Sequence, residues 1–98
     1  MKNSGICKKD LEAIGKILNG YDNIFVYGSR VNGNYRRFSD LDLCFKKNLP
    51  EDKIQLLREK FENSDLAFKV EFTFYNNVDD EFKKRIDQEC ISLPEFLK

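Results

Sequence analysis

The stretch with the clearest chemical content is Gly28-Ser29, followed after ten residues by Asp40-Leu41-Asp42. Two aspartates at i and i+2 on a strand point to one side of it. Oxygens held in that way bridge divalent cations, which prefer oxygen ligands and accompany triphosphates. Two such ions about 3.5–4 Å apart stabilise both the attacking and the leaving oxygen of a phosphoryl displacement. The Gly-Ser pair suits the other half of the reaction. A strand that runs into Gly-Ser and then a helix leaves backbone N–H groups free for a phosphate, and the Ser29 hydroxyl adds a donor. Gly28 lets the phosphate come close to the chain. A third carboxylate usually completes a site of this kind, and Glu71 is the candidate. Val70 and Phe72 on either side of it face the core, so Glu71 lies on the polar face of its strand. It would bind metal or accept the proton of an attacking hydroxyl.

A pair of aspartates alone is weak evidence. The four fixed residues at this spacing occur by chance in about one chain in a thousand of this length. The apolar run before them and the Leu-x-Leu-x-Phe alternation after them make coincidence less frequent still. The competing structural readings are plain ones: turn and strand-edge solvation for Asp40 and Asp42, a helix cap for Gly28-Ser29, and a solvated strand residue for Glu71.

These residues need elements to position them. Leu11, Ile14, Ile17 and Leu18 recur at helical spacing, so residues 8 to 19 read as an amphipathic helix closed by Asn19-Gly20. Ile24 to Tyr27 reads as a buried strand that Gly28-Ser29 stops. Ser29 is a good N-cap for a short helix within 29 to 35, which Gly33 keeps short. Leu41, Leu43 and Phe45 face one way on a second strand, and Asp40, Asp42 and Cys44 face the other if that strand begins at Asp40. Pro50-Glu51-Asp52 opens a helix with Ile54, Leu57 and Phe61 as its buried stripe. Lys69 to Tyr75 is a third strand, Asn76-Asn77 turns the chain, and 79 to 88 is a last helix with Phe82 and Ile86 inward. The tail from Cys90 to Lys98 is apolar enough to pack but has no assignable form. The fold class is α/β (α+β): a small mixed sheet with helices against one face.

Bulk composition narrows the function. The chain has 98 residues, which fits one domain spanning residues 1–98. Lys and Arg number 17, as do Asp and Glu, so the net charge is zero. That argues against a protein whose main task is coating nucleic acid. No histidine is present, which excludes Ser-His-Asp and Cys-His mechanisms. Cys7, Cys44 and Cys90 are too scattered for a disulfide framework or a zinc site and read as free thiols in a reducing cytoplasm. Met1 to Gly5 lacks an apolar stretch of signal-peptide length, and no run approaches a membrane span, so a cytoplasmic protein is expected.

Gly28-Ser29-Arg30-Val31-Asn32-Gly33 followed by Ser39-Asp40-Leu41-Asp42-Leu43 resembles the signature of the minimal nucleotidyltransferase family, within the DNA polymerase beta-like superfamily. The early helix, the Phe68 to Phe72 strand and Glu81 to Ile86 extend the resemblance along the chain. It implies a polymerase beta-like nucleotidyltransferase fold. It implies that Asp40 and Asp42 bind Mg2+, with two ions in all, that Gly28 and Ser29 hold the triphosphate of ATP, and that Glu71 stands at the third acidic position. That position is more often Asp in the family. Arg30 matches a frequent basic residue after the Gly-Ser and would neutralise phosphate charge; the competing reading is a solvated surface arginine. Arg36 and Arg37 read as solvated. Family members are often paired, as antitoxin and toxin, with a small helical HEPN-type protein, and some transfer AMP to a tyrosine hydroxyl of that partner.

Three functions are therefore in competition. The first is an active nucleotidyltransferase that modifies a protein partner. The second, motivated by glutamate in place of aspartate at 71, is a catalytically impaired binding module that neutralises its partner by complex formation. The third is transfer to nucleic acid or a small molecule, which the small size and zero net charge disfavour.

Overall fold

A computed structural model describes residues 4–98. Residues 1–3, part of the N-terminal stretch read for a signal segment, lie outside the described residues. The chain begins with helix α1 (Lys8–Ile17), where Ile14 and then Leu18 are buried and Leu11 and Ile17 pack beside them. Strand β1 (Ile24–Tyr27) leads into the one-turn helix α2 (Ser29–Asn32). Strand β2 (Leu41–Phe45) and helix α3 (Glu51–Glu62) follow, then strand β3 (Val70–Phe74). A 3-10 turn at Tyr75–Asn77 precedes helix α4 (Asp80–Glu89). Strand β4 (Ile91–Ser92) and helix α5 (Leu93–Phe96) end the chain.

The four strands form one mixed sheet in the order β3-β2-β1-β4. β1 pairs antiparallel with both β2 and β4, and β2 pairs parallel with β3. The parallel pair needs a long crossover, which α3 supplies. Side-chain alternation then builds two layers. Ile24, Val26, Leu41, Leu43 and Phe45 face α1, α3 and α5 in the main core, joined by Val70, Phe72 and Phe74. Phe45 lies 5.0 Å from Phe72 and 5.5 Å from Phe74, and Phe61 of α3 meets Phe72 edge-on at 5.9 Å. Each such pair contributes about 0.5–1.5 kcal/mol beyond its buried area.

The other face carries a second, smaller cluster. Tyr27, Cys44 and Ile86 are buried there, with Phe25, Tyr75, Val78, Phe82 and Cys90 around them. Helix α4 therefore covers this face, which corrects the expectation that all helices pack on one side. The reason lies in β1: Phe25 and Tyr27 are as apolar as Ile24 and Val26, so the strand needs cover on both faces.

Three smaller expectations are also revised. The second strand begins at Leu41, so Asp40 stands just before it. The cap of α2 is Gly28, and Ser29 is its first residue. The tail, unassigned from sequence, forms β4 and α5. Ser92 caps α5, its hydroxyl accepting from the Glu95 N–H, and Pro94 sits in the first turn. Among the described residues no helix is long and apolar enough to cross a membrane.

Candidate active site

The site is built where β1 ends beside the middle of the sheet. Gly28 has φ +84°, a conformation that favours glycine, and a Cβ there would run into the Asp42 carboxylate. Two independent constraints thus require glycine. Its carbonyl accepts the N–H groups of Val31 and Asn32, both at 3.0 Å, which winds the chain into α2. Gly33 closes that turn at φ +90°. At the start of the turn, neither the N–H nor the hydroxyl of Ser29 has a hydrogen-bond partner among the described residues. The N–H of Gly28 is different: it donates to the Glu89 carboxylate at 2.9 Å.

Strand register sets the acidic side. Asp42 is paired with Tyr27 on β1 and with Glu71 on β3, so the three form a row across one face of the sheet. Adjacent strands are about 4.8 Å apart, which puts the Asp42 and Glu71 carboxylates within reach of one another. Asp40 is exposed at the entrance to β2, which is fixed by the Leu41 N–H donating to the Lys69 carbonyl at 2.9 Å. Burial, and after it the charges of Asp40, Glu71 and Glu89, push the Asp42 carboxyl up to about 6; Arg85 opposes this. The ion pairs among the described residues, Lys46–Asp87, Lys47–Asp22 and Lys98–Glu95, lie elsewhere and leave Asp40, Asp42 and Glu71 without a salt-bridge partner.

Concentrated negative charge carried by oxygen donors is the chemistry that Mg2+ accepts. In that sense the residues fit divalent ions. Their side chains are not gathered for one: among the described residues, no group of three or more His, Cys, Asp or Glu is close enough together to hold a metal ion.

Arg30 is corrected most sharply. Neither solvent nor a phosphate site is its environment, since the side chain is only 2% exposed. Nε and Nη2 donate to the Ser39 carbonyl at 3.2 and 2.9 Å, Nη2 also to the Arg37 carbonyl at 3.3 Å, and Nη1 to the Ser4 carbonyl at 3.1 Å. The guanidinium lies 4.9 Å from the Phe68 ring centre and 5.5 Å from that of Tyr35. It binds the loop between α2 and β2 and so sets Ser39, the neighbour of Asp40. Arg36 and Arg37 are exposed, as read.

Three residues at the site have no signal in the sequence reading: Tyr27, Arg85 and Glu89. The Tyr27 hydroxyl is 2.6 Å from Thr73 Oγ1, spanning β2. Burial raises its pKa, although the Thr73 contact lowers it. Glu89 is brought to Gly28 across 61 residues, and only the strand register could have revealed it. An open groove of about 500 Å³ runs along the acidic edge, lined by Phe38, Asp40, Leu66, Phe68, Lys69 and Glu71 among others.

Residues 12–95 match the family model described as Polymerase beta, Nucleotidyltransferase. The chain belongs to this family. It is 30% identical over 77 residues to the "Probable protein adenylyltransferase MntA" of Haemophilus influenzae, covering 76% of this chain and 68% of that protein. Its fold also matches a solved structure described as a toxin-antitoxin with AMP-PNP. The TM-score is 0.63 and the identity 20%, over 86% of this chain and 72% of the other. In this nucleotidyltransferase Gly28 and Ser29 stand at the end of β1, Asp42 and Glu71 are neighbours across β2 and β3, and Arg30 is turned inward.

Proposed function

We propose that this nucleotidyltransferase moves AMP from ATP to a hydroxyl of a protein partner, in a metal-dependent reaction, as the antitoxin of a pair with a HEPN-type toxin. The observation that carries the reading is the row of Asp42 and Glu71 beside a Gly28–Ser29 turn whose Ser29 N–H and hydroxyl have no hydrogen-bond partner among the described residues. The name of the Haemophilus relative and the description of the solved toxin-antitoxin support the substrate and the partner. The unpaired thiols Cys7, Cys44 and Cys90 support a reducing, cytoplasmic setting.

In this reading Ser29 holds triphosphate oxygens through its N–H and hydroxyl. Asp40, Asp42 and Glu71 would hold the two Mg2+ ions, whose charge would offset that of the triphosphate. The acceptor hydroxyl enters along the groove beside Phe38 and Phe68. Its oxygen forms a bond to the α-phosphorus while the bond to the β-phosphate oxygen breaks. Glu71, exposed at the groove edge, takes the hydroxyl proton.

A second reading, a binding module that neutralises its partner by covering it, draws on Glu71 in place of aspartate and on the ungathered carboxylates. Calorimetric titration with ATP, with and without Mg2+, separates the two when followed by incubation with the partner and ATP labelled at the α-phosphate. Mg2+-dependent binding and labelling of the partner, both lost in Asp42→Asn, are expected. Full transfer by Asp42→Asn would overturn the assignment, and neutralisation of the partner without labelling would favour the binding module.

A further inference from the structure

We propose that Glu89 is a positioning residue for nucleotidyl transfer: its carboxylate holds the main-chain N–H of Gly28 and so fixes the Gly28–Ser29 turn against Asp42. The proposal deepens the reading of that turn as the phosphate-holding element and rests on it.

Strand register gives the first argument. Phe25 is paired with Ser92, and Val26 with Ile91. Continuing that antiparallel register by two residues sets Glu89 opposite Gly28. The ladder does not continue in main-chain form, because α4 ends at Glu89 and its backbone there is helical. A side-chain oxygen takes the place of the missing carbonyl and accepts the Gly28 N–H at 2.9 Å. The bond therefore extends the β1–β4 ladder, while Tyr27, Asp42 and Glu71 line the face of the sheet. It leaves the N–H and hydroxyl of Ser29 without a partner among the described residues. A carboxylate that blocked the phosphate site would be expected to engage those groups.

The electrostatic setting gives the second argument. Glu89 is the last residue of α4, where the helix dipole is negative, and its charge acts on Asp42 together with those of Asp40 and Glu71. Packing alone gives no reason for a fourth negative charge here. A charged acceptor, however, makes the strongest bond to a backbone N–H. Gly28 is where that strength matters. Its Cα lies so close to the Asp42 carboxylate that no Cβ fits between them. A shift of Gly28 therefore changes the spacing between the turn and Asp42 directly, and a misplacement of about 1 Å at reacting groups is costly to rate.

The test uses three variants of the full chain and two readouts. Glu89→Gln keeps the acceptor oxygen and its reach; Glu89→Ala removes both; Glu89→Asp keeps the charge but is one methylene short. Amide hydrogen exchange at Gly28, followed by NMR without nucleotide, should be about tenfold faster in the Ala and Asp variants and about threefold faster in Gln, whose neutral oxygen makes the weaker bond. Affinity for Mg2+ and AMP-PNP, measured by calorimetry, should fall about tenfold in Ala and Asp and stay within about threefold in Gln. A loss of fold alone would not be rescued by Gln while Asp, which keeps the charge, fails. Unchanged Gly28 exchange in Glu89→Ala overturns the proposal whatever binds. So does analogue binding in Glu89→Ala as tight as in wild type, or tighter. If wild type binds no analogue, the phosphate reading of the turn falls and the positioning role with it. The exchange result, which needs no nucleotide, tells that failure from the others.

Discussion

Asp42 illustrates how a half-buried carboxylate among other acids works against the stability of its own domain. Its carboxyl is pushed up to about 6 by burial and by neighbouring acids, against about 3.9 in an unfolded chain. Between those values the folded state binds more protons than the unfolded state, so stability falls as pH rises through that window. Asp42→Asn removes the decline. In the protein without ligand, the variant should melt higher than wild type at pH 7 by on the order of a few °C, and equally at pH 3.5. Thermal melts at the two pH values check this; a lower melting temperature for the variant at pH 7 would contradict the assigned environment. The positions of Gly28 at a strand end and of Asp42 and Glu71 on the polar face of their strands were legible because turn glycines and strand alternation are local properties. Arg30 was not. Nothing in its residue type distinguishes a fork aimed at phosphate from one aimed at three main-chain carbonyls. Glu89 was hidden for a related reason: its partner is 61 residues away.

At the scale of elements, the periodic segments were read well and the non-local ones were not. α1, α3, α4 and the first three strands carry their apolar stripes in sequence, and their ends fall within about two residues of the expected ones. β4 has two residues and exists only because β1 offers it an edge. The placement of α4 on the far face depends on Phe25 and Tyr27 needing cover, which a strand read as simply buried does not specify. In the loop between α2 and β2, Arg36 and Ser39 bond one another, and Arg30 ties the loop to the Ser4 carbonyl. Lysine at 30 has one point charge in place of a planar fork and cannot reach the Ser4, Arg37 and Ser39 carbonyls together. Arg30→Lys should cost about 2–3 kcal/mol in urea unfolding and lower transfer by displacing Asp40. Arg36→Lys, on the exposed part of the same loop, should change stability by less than about 0.5 kcal/mol. Equal stabilities for the two variants would sink the clamp role of Arg30.

Across the whole molecule the sheet separates support from chemistry. One face is filled by α1, α3 and α5. The other is covered by α4 over Phe25, Tyr27 and Cys44, which leaves Asp42 half-buried and Glu71 exposed. A domain of this size has little surface with which to choose an acceptor, which suits a partner that presents its own hydroxyl. Phe38 is the most exposed large apolar side chain among the described residues, at 62%, and it lines the groove beside Asp40 and Glu71. A ring left in water beside reactive groups fits an interface better than a core. Phe38→Ala should therefore leave ATP affinity within about twofold while reducing labelling of the partner about tenfold. Equal labelling by the variant would move the acceptor away from this groove.

The Tyr27–Thr73 contact and the cover given by α4 have one more consequence. Together they roof Cys44, which has no exposed surface and whose thiol burial pushes up to about 11. A thiol so shielded reacts with an alkylating reagent only while that roof is lifted. With Cys7 and Cys90 replaced by serine, Cys44 becomes a clock inside the domain. Its labelling rate counts how often that roof opens, and a ligand that prefers the closed form slows the clock.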